Sequence, residues 1–143
     1  MVQECNMTAP AERSVLVVDD DAEIRKLIER VLVRMGVRVT LAKDGAEAIY
    51  HTVGASFDLI TMDLMMPNVD GFEAIRAIRD VDPGCRIVVV TSMTDKESRE
   101  RAAALQVTQY VTKPVLVRRM RKLFARLLGL EKPVTPAPAP ALT

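Results

Sequence analysis

The chain has 143 residues, 49% of them apolar and only five aromatic, enough for one domain with a hydrophobic core. No apolar run reaches the roughly 20 residues that span a bilayer, and residues 1–13 lack the basic start and apolar stretch of a secretory signal. Two cysteines, Cys5 and Cys85, build no disulfide framework, so the expected compartment is the reducing cytoplasm, with no membrane contact. The net charge of +1 argues against nucleic-acid binding by bulk charge, but it hides an asymmetry. Residues 1–100 carry 12 basic and 18 acidic side chains, a net −6, whereas residues 101–130 carry 7 basic and no acidic ones, a net +7.

In chain order, residues 1–13 are small and unpatterned and are expected to be a disordered extension. Val15–Val18 reads as a first strand. Ile24, Leu27, Ile28, Val31, Leu32 and Met35 then recur at helical spacing, and Gly36 supplies the stop. A second strand is expected over Val37–Ala42. The D-x-x-E pair Asp44 and Glu47 opens a second helix carrying Ala46, Ile49, Tyr50 and Val53. Asp58–Met62 is the third strand, and a helix with Phe72, Ile75 and Ile78 follows Gly71. Arg86–Thr91 is the fourth strand, its Ile87-Val88-Val89-Val90 run suited to cover on both faces. The T-x-x-E pair Thr94 and Glu97 predicts a cap for a fourth, polar helix. Gln109–Thr112 is the fifth strand, and Pro114 occupies a helix-first position before Leu116, Met120, Leu123 and Leu127. Four prolines from Pro133 onward mark residues 129–143 as a disordered tail or linker, which leaves 14–128 as the folded domain. Five β-α units with right-handed crossovers give an α/β fold, a doubly wound parallel sheet with helices on both faces.

Ligands of such sheets sit outside the C-terminal strand ends. Here those ends carry Asp19-Asp20-Asp21, Asp63, Thr91-Ser92 and Lys113-Pro114. Crowded carboxylates call for a hard divalent cation, and Mg²⁺ suits carboxylates combined with water and phosphate. A hydroxyl and an ammonium are donors that hold phosphoryl oxygens. Together these groups describe phosphoryl transfer, in which positioning and charge neutralisation dominate. Asp21 reads as a helix cap, and Asp19 and Asp20 taken alone have the same alternative. Asp63 has no helix nearby to cap.

VLVVDDD at 15–21, DLMMPNVDG at 63–71, Thr91 after an apolar strand and YVTKP at 110–114 resemble the receiver domain of bacterial two-component response regulators. The resemblance implies a flavodoxin-like fold with strand order 2-1-3-4-5, an order for which a chemotaxis receiver is itself a standard example. It implies that Asp63 accepts a phosphoryl group from a sensor histidine kinase or histidine phosphotransfer protein. Asp20, Asp63 and the Met65 backbone carbonyl would bind Mg²⁺, with Asp19 acting through water. Lys113 would pair with the phosphoryl group, aided by a cis peptide before Pro114, and Thr91 and Tyr110 would form the switch. Such a chain modifies itself stoichiometrically and is not an enzyme in the turnover sense. Gln106-Val107 departs from the family's frequent Gly-Ala, and Ser92 stands where a smaller residue is common. Met65 and Met93 flank the site, either as a shield for an acyl phosphate or as filler.

Arg118, Arg121 and Lys122 are candidates for docking a downstream protein with an acidic surface; a solvated charged face is the alternative. The expected state is a monomer or a weak phosphorylation-dependent dimer. Function is read as a stand-alone receiver working through its helix 4–strand 5–helix 5 face. One alternative is the N-terminal receiver of a longer regulator with a DNA-binding or enzymatic output. Another is a Mg²⁺-dependent aspartyl-nucleophile phosphatase, weakened by Met65 where that class places a second Asp.

Overall fold

The computed structural model describes residues 12–130. Its strands are β1 (Ser14–Val18), β2 (Arg38–Ala42), β3 (Leu59–Met62), β4 (Ile87–Thr91) and β5 (Gln109–Thr112). They alternate with α1 (Ala22–Arg34), α2 (Gly45–Gly54), α3 (Gly71–Val81), α4 (Lys96–Ala104) and α5 (Val117–Leu127). All pairs are parallel and the order is β2-β1-β3-β4-β5, as the resemblance implied.

Because successive strand residues face opposite sides, central strands that are largely apolar feed two cores. Leu16, Val18, Ile60, Met62, Ile87 and Val89 pack toward α2, α3 and α4, against Phe72, Ile75 and Ile78. Val15, Val17, Leu59, Val88 and Val90 pack toward α1 and α5, against Ile28, Leu32, Met120 and Phe124. Among the described residues, no helix is long and apolar enough to cross a membrane. The disorder expected over 1–13 and 129–143 falls outside the described residues, except at 12, 13, 129 and 130. There, Arg13 Nε donates to Leu128 O at 2.8 Å, and Arg38 N donates to Arg13 O at 2.9 Å.

Four local expectations are corrected. In α2 the buried residues are Gly45, Ala48 and Thr52, while Tyr50 is 77% exposed. The helix lies close to its neighbours, so its small residues and not its large ones face inward. The α2 capping box is half made: Asp44 accepts from Glu47 N, but Glu47 accepts from Lys43 N. The α4 cap is Asp95 and not Thr94, because the buried Ser98 gives Asp95 both its backbone N–H and its hydroxyl. Helix α5 opens at Val117 with Leu116 as an uncapped first position, since residues 113–116 stay in the loop that carries Lys113. Leu116 is consequently exposed, and the inward stripe is Met120, Phe124 and Leu128.

Arg79 ties the lower end of the fold together. Its guanidinium donates to the carbonyls of Leu105, Gln106, Pro83 and Cys85. Two of these acceptors lie in the loop before β5, where Gln106 takes a positive φ of 61°. Hydrogen bonds from a charged donor contribute about 1.5–3 kcal/mol each at best, so this arginine anchors a loop that has no glycine.

Thr61 carries a buried hydroxyl, Oγ1, without a hydrogen-bond partner among the described residues. An unmade hydrogen bond in an apolar setting costs about 1–3 kcal/mol, and valine has the same shape without that oxygen. Thr61→Val should raise the melting temperature by roughly 3–5 °C, about 1 kcal/mol. A lower melting temperature would show that the hydroxyl has a partner.

Candidate functional site

Register brings the chemistry to one edge. Val18 lies beside Met62 and Thr91 beside Thr112, so the residues that follow these strands emerge together. Asp19 and Asp63 are buried there and Asp20 is exposed, and one carboxylate oxygen from each lies within 4.8 Å of the others. The Asp63 loop is fixed by a close backbone approach. Gly71 N donates to Leu64 O at 3.1 Å, and a Cβ on Gly71 would run into the Asp63 carbonyl and Leu64 Cα. Met65 N donates to Asp63 Oδ1 at 3.1 Å. Asp21 caps α1, and its own N–H donates to Asp19.

Lys113 spans the two buried acids, its Nζ 2.9 Å from Asp19 Oδ2 and 3.3 Å from Asp63 Oδ2. The Lys113–Pro114 peptide is cis. Burial raises the Asp19 carboxyl above its ordinary value; the Asp63 charge adds to this, against the Asp21 N–H and Lys113. Burial alone would lower the Lys113 ammonium, but the hydrogen bonds and charges of Asp19 and Asp63 outweigh it and raise it. The donor set is therefore all oxygen, crowded and only partly neutralised by one lysine. That chemistry fits a hard divalent cation such as Mg²⁺.

Thr91 and Tyr110 meet at one residue. Met93 N donates to Thr91 Oγ1 at 3.3 Å, and Tyr110 OH donates to Met93 O at 2.8 Å. Arg99 lies 4.7 Å over the half-buried Tyr110 ring. Met65 is 55% exposed and Met93 is half-buried, and Ser92 Oγ lies 3.7 Å from Met65 Sδ. Asp19, Asp20, Asp63 and Lys113 are thus brought together, with Thr91 ending the neighbouring strand. Arg118, Arg121 and Lys122 lie apart on the exposed side of α5, beside Arg119 and Arg126. Sequence reasoning misses two arginines. Arg25 donates to Asp19 O at 2.6 Å, and Arg101 lies 3.8 Å over the Phe72 ring in a cleft shared with Asp20, Met65 and Met93. Neither belongs to a motif, and both reach the site only through folding.

Residues 15–125 match the family described as response regulator receiver domain. This chain belongs to that family. The receiver is 37% identical over 103 residues to the transcriptional regulatory protein ResD of Bacillus subtilis, covering 72% of this chain and 42% of ResD. It is 35% identical over 127 residues to the response regulator MprA of a Mycobacterium species (strain KMS), covering 86% of this chain and 55% of MprA. It thus spans about half the length of these curated relatives. Among solved structures, the Vibrio cholerae chemotaxis protein CheY4 superposes with a TM-score of 0.77 at 32% identity, over 82% of this chain and 99% of that one. The BeF3-activated DrrB receiver domain gives 0.76 at 26% identity, over 83% and 99%. Receivers of this family are signalling modules of phosphorelays, with histidine kinases or phosphotransfer proteins as partners.

The raised Asp19 carboxyl has a consequence for stability. A raised acid stabilises the fold fully below its unfolded value of 3.8, and that contribution is lost as pH rises through the folded value. In the presence of a chelator, Asp19→Asn should therefore melt above the unchanged receiver at pH 7, with the difference vanishing near pH 3. A variant melting lower at pH 7 would mean that the Lys113 contact outweighs the burial.

Proposed function

We propose that this receiver accepts a phosphoryl group on Asp63 in a Mg²⁺-dependent reaction and passes the signal on by a protein contact. The observation that carries the reading is the bridging of Asp63 and Asp19 by Lys113, beside the exposed Asp20. Asp63 is the nucleophile: a carboxylate oxygen bonds to phosphorus, the P–N bond of a phosphohistidine breaks, and the imidazole leaves with the electron pair. Lys113 then exchanges its carboxylate contact for a phosphoryl oxygen. Asp20, Asp63 and the Met65 carbonyl would hold the cation, with Asp19 through water. When bound, the ion supplies charge neutralisation at the transferring group.

Thr91 turns its hydroxyl toward the phosphoryl oxygen and gives up the Met93 N–H. Because Tyr110 is bonded to the carbonyl of the same Met93, that exchange loosens the tyrosine, and the α4-β5-α5 face changes. The self-modification is stoichiometric, not turnover, and takes place in the cytoplasm. Arg118, Arg121 and Lys122 complement an acidic partner surface, and an all-positive α5 disfavours a tight symmetric dimer. A stand-alone module is favoured by the near-complete coverage of CheY4, whereas the half-length coverage of ResD and MprA favours the receiver part of a longer regulator. The length of the natural open reading frame decides between them.

One preparation tests the reading. Incubated with a phosphohistidine donor and Mg²⁺, the receiver should take up label that Asp63→Asn abolishes and a chelator suppresses. Labelling that persists in Asp63→Asn would overturn the assignment. In the same preparation, Arg118→Glu with Arg121→Glu should leave labelling intact and weaken capture of an acidic partner; unchanged capture would remove the docking face.

A further inference from the structure

The methionines of the fold are unequally exposed. Among the described residues, Met62, Met66 and Met120 are buried, Met35 and Met93 are half-buried, and Met65 alone is exposed, at 55%. Oxidation of a thioether follows its access to solvent and turns a soft apolar tip into a polar sulfoxide. Met65 is therefore the methionine that a peroxide reaches first. It also sits beside the chemistry, because its own N–H donates to Asp63 Oδ1 at 3.1 Å. Its side chain crosses to the next loop, where Ser92 Oγ donates to Met65 Sδ at 3.7 Å. That link is weak, since a thioether sulfur is a poor acceptor.

Met65 lines a cleft of about 450 Å³ between the loops after β1, β3 and β4, shared with Asp20, Met93 and Arg101. The Arg101 guanidinium lies 3.8 Å over the buried Phe72 ring, and among the described residues no carboxylate pairs with it. Stacking on a ring face leaves its in-plane N–H donors open. A sulfoxide oxygen carries partial negative charge and accepts strongly, so at position 65 it meets donors that the thioether barely engages. We propose that Met65 is a reversible oxidation site whose sulfoxide, held by Arg101 and Ser92, ties the β3–α3 loop to the β4–α4 loop and closes the cleft. The oxidant is a peroxide. A sulfur lone pair bonds to one peroxide oxygen, the O–O bond breaks, and the departing oxygen takes the proton of the transferred one and leaves as water. Sulfur loses two electrons and the peroxide gains them. A dithiol reductant reverses the step: the S–O bond breaks, the oxygen leaves as water with the two thiol protons, and the dithiol becomes a disulfide. The consequence for signalling rests on Asp63 as the acceptor, because a closed cleft slows the approach of a phosphohistidine donor.

The full chain treated with hydrogen peroxide and mapped by peptide mass provides the first test. Met65 should gain an oxygen roughly tenfold faster than Met62, Met66 and Met120, following its exposure. Equal rates would overturn the proposal. In the same samples the Arg101 Nε–H resonance should shift on oxidation and return after treatment with methionine sulfoxide reductase and a dithiol; in Met65→Leu it should stay in place. Labelling from a phosphohistidine donor with Mg²⁺ should be roughly three- to tenfold slower in the oxidised chain than in the reduced one, the size of one hydrogen bond's net contribution. That difference should vanish in Met65→Leu, and also in Arg101→Ala, where Met65 still oxidises. An oxidised chain with an unmoved Arg101 resonance and unslowed labelling overturns the switch, as does slowing that survives in Arg101→Ala. Asp63→Asn separates the two readings. Label surviving in that variant defeats the acceptor assignment, whereas the mass map and the Arg101 resonance report on Met65 with no phosphoryl donor present.

Discussion

Two carboxylates, Asp19 and Asp63, are buried next to each other at the end of a parallel sheet, and burying like charges is costly unless a cation is at hand. Lys113 is that cation in the resting protein, drawn in from the end of β5, two strands across the sheet from β3. Burial raises the Asp19 carboxyl even with the Lys113 ammonium 2.9 Å away. The site combines crowded carboxylates, hard oxygen donors and one shared ammonium, a donor set that suits a divalent ion. Chemistry and incomplete stability here have one origin.

The rest of the fold keeps those groups at one edge. Apolar strands covered on both faces set the register, and the parallel register brings the strand ends to one edge. Gly71 lets the α3 start press against the Asp63 backbone, where any side chain would displace the loop that carries Asp63. At the opposite end Arg79 ties the loops before β4 and β5 together through four carbonyls. Met93 joins the two sides, accepting from Tyr110 and donating to Thr91.

Strands are legible in the sequence because β-branched runs between turn residues have few alternatives, and the carboxylates because they directly follow those runs. The wound topology follows from β-α alternation, its strand order from the resemblance. Side-chain phase is harder. Tyr50 and Val53 are apolar yet exposed, because α2 lies too close to its neighbours for large residues and turns Ala48 and Thr52 inward. The α5 start is misplaced by the sequence pattern because Pro114 satisfies a helix-first signature while serving the Lys113 loop. Arg79 and Arg101 act through a backbone carbonyl and an aromatic ring distant in sequence, and Arg25 through the Asp19 carbonyl, none of which a motif encodes.

Three clustered carboxylates that one lysine only partly offsets should take up a divalent ion. Thermal unfolding with and without Mg²⁺ measures it directly. At about ten times the dissociation constant, an ion bound only by the folded chain adds about 1.4 kcal/mol, or roughly 4 °C here. The unchanged receiver should gain that increment and Asp20→Asn should not. A melting temperature of the unchanged protein that Mg²⁺ leaves in place would contradict the claim.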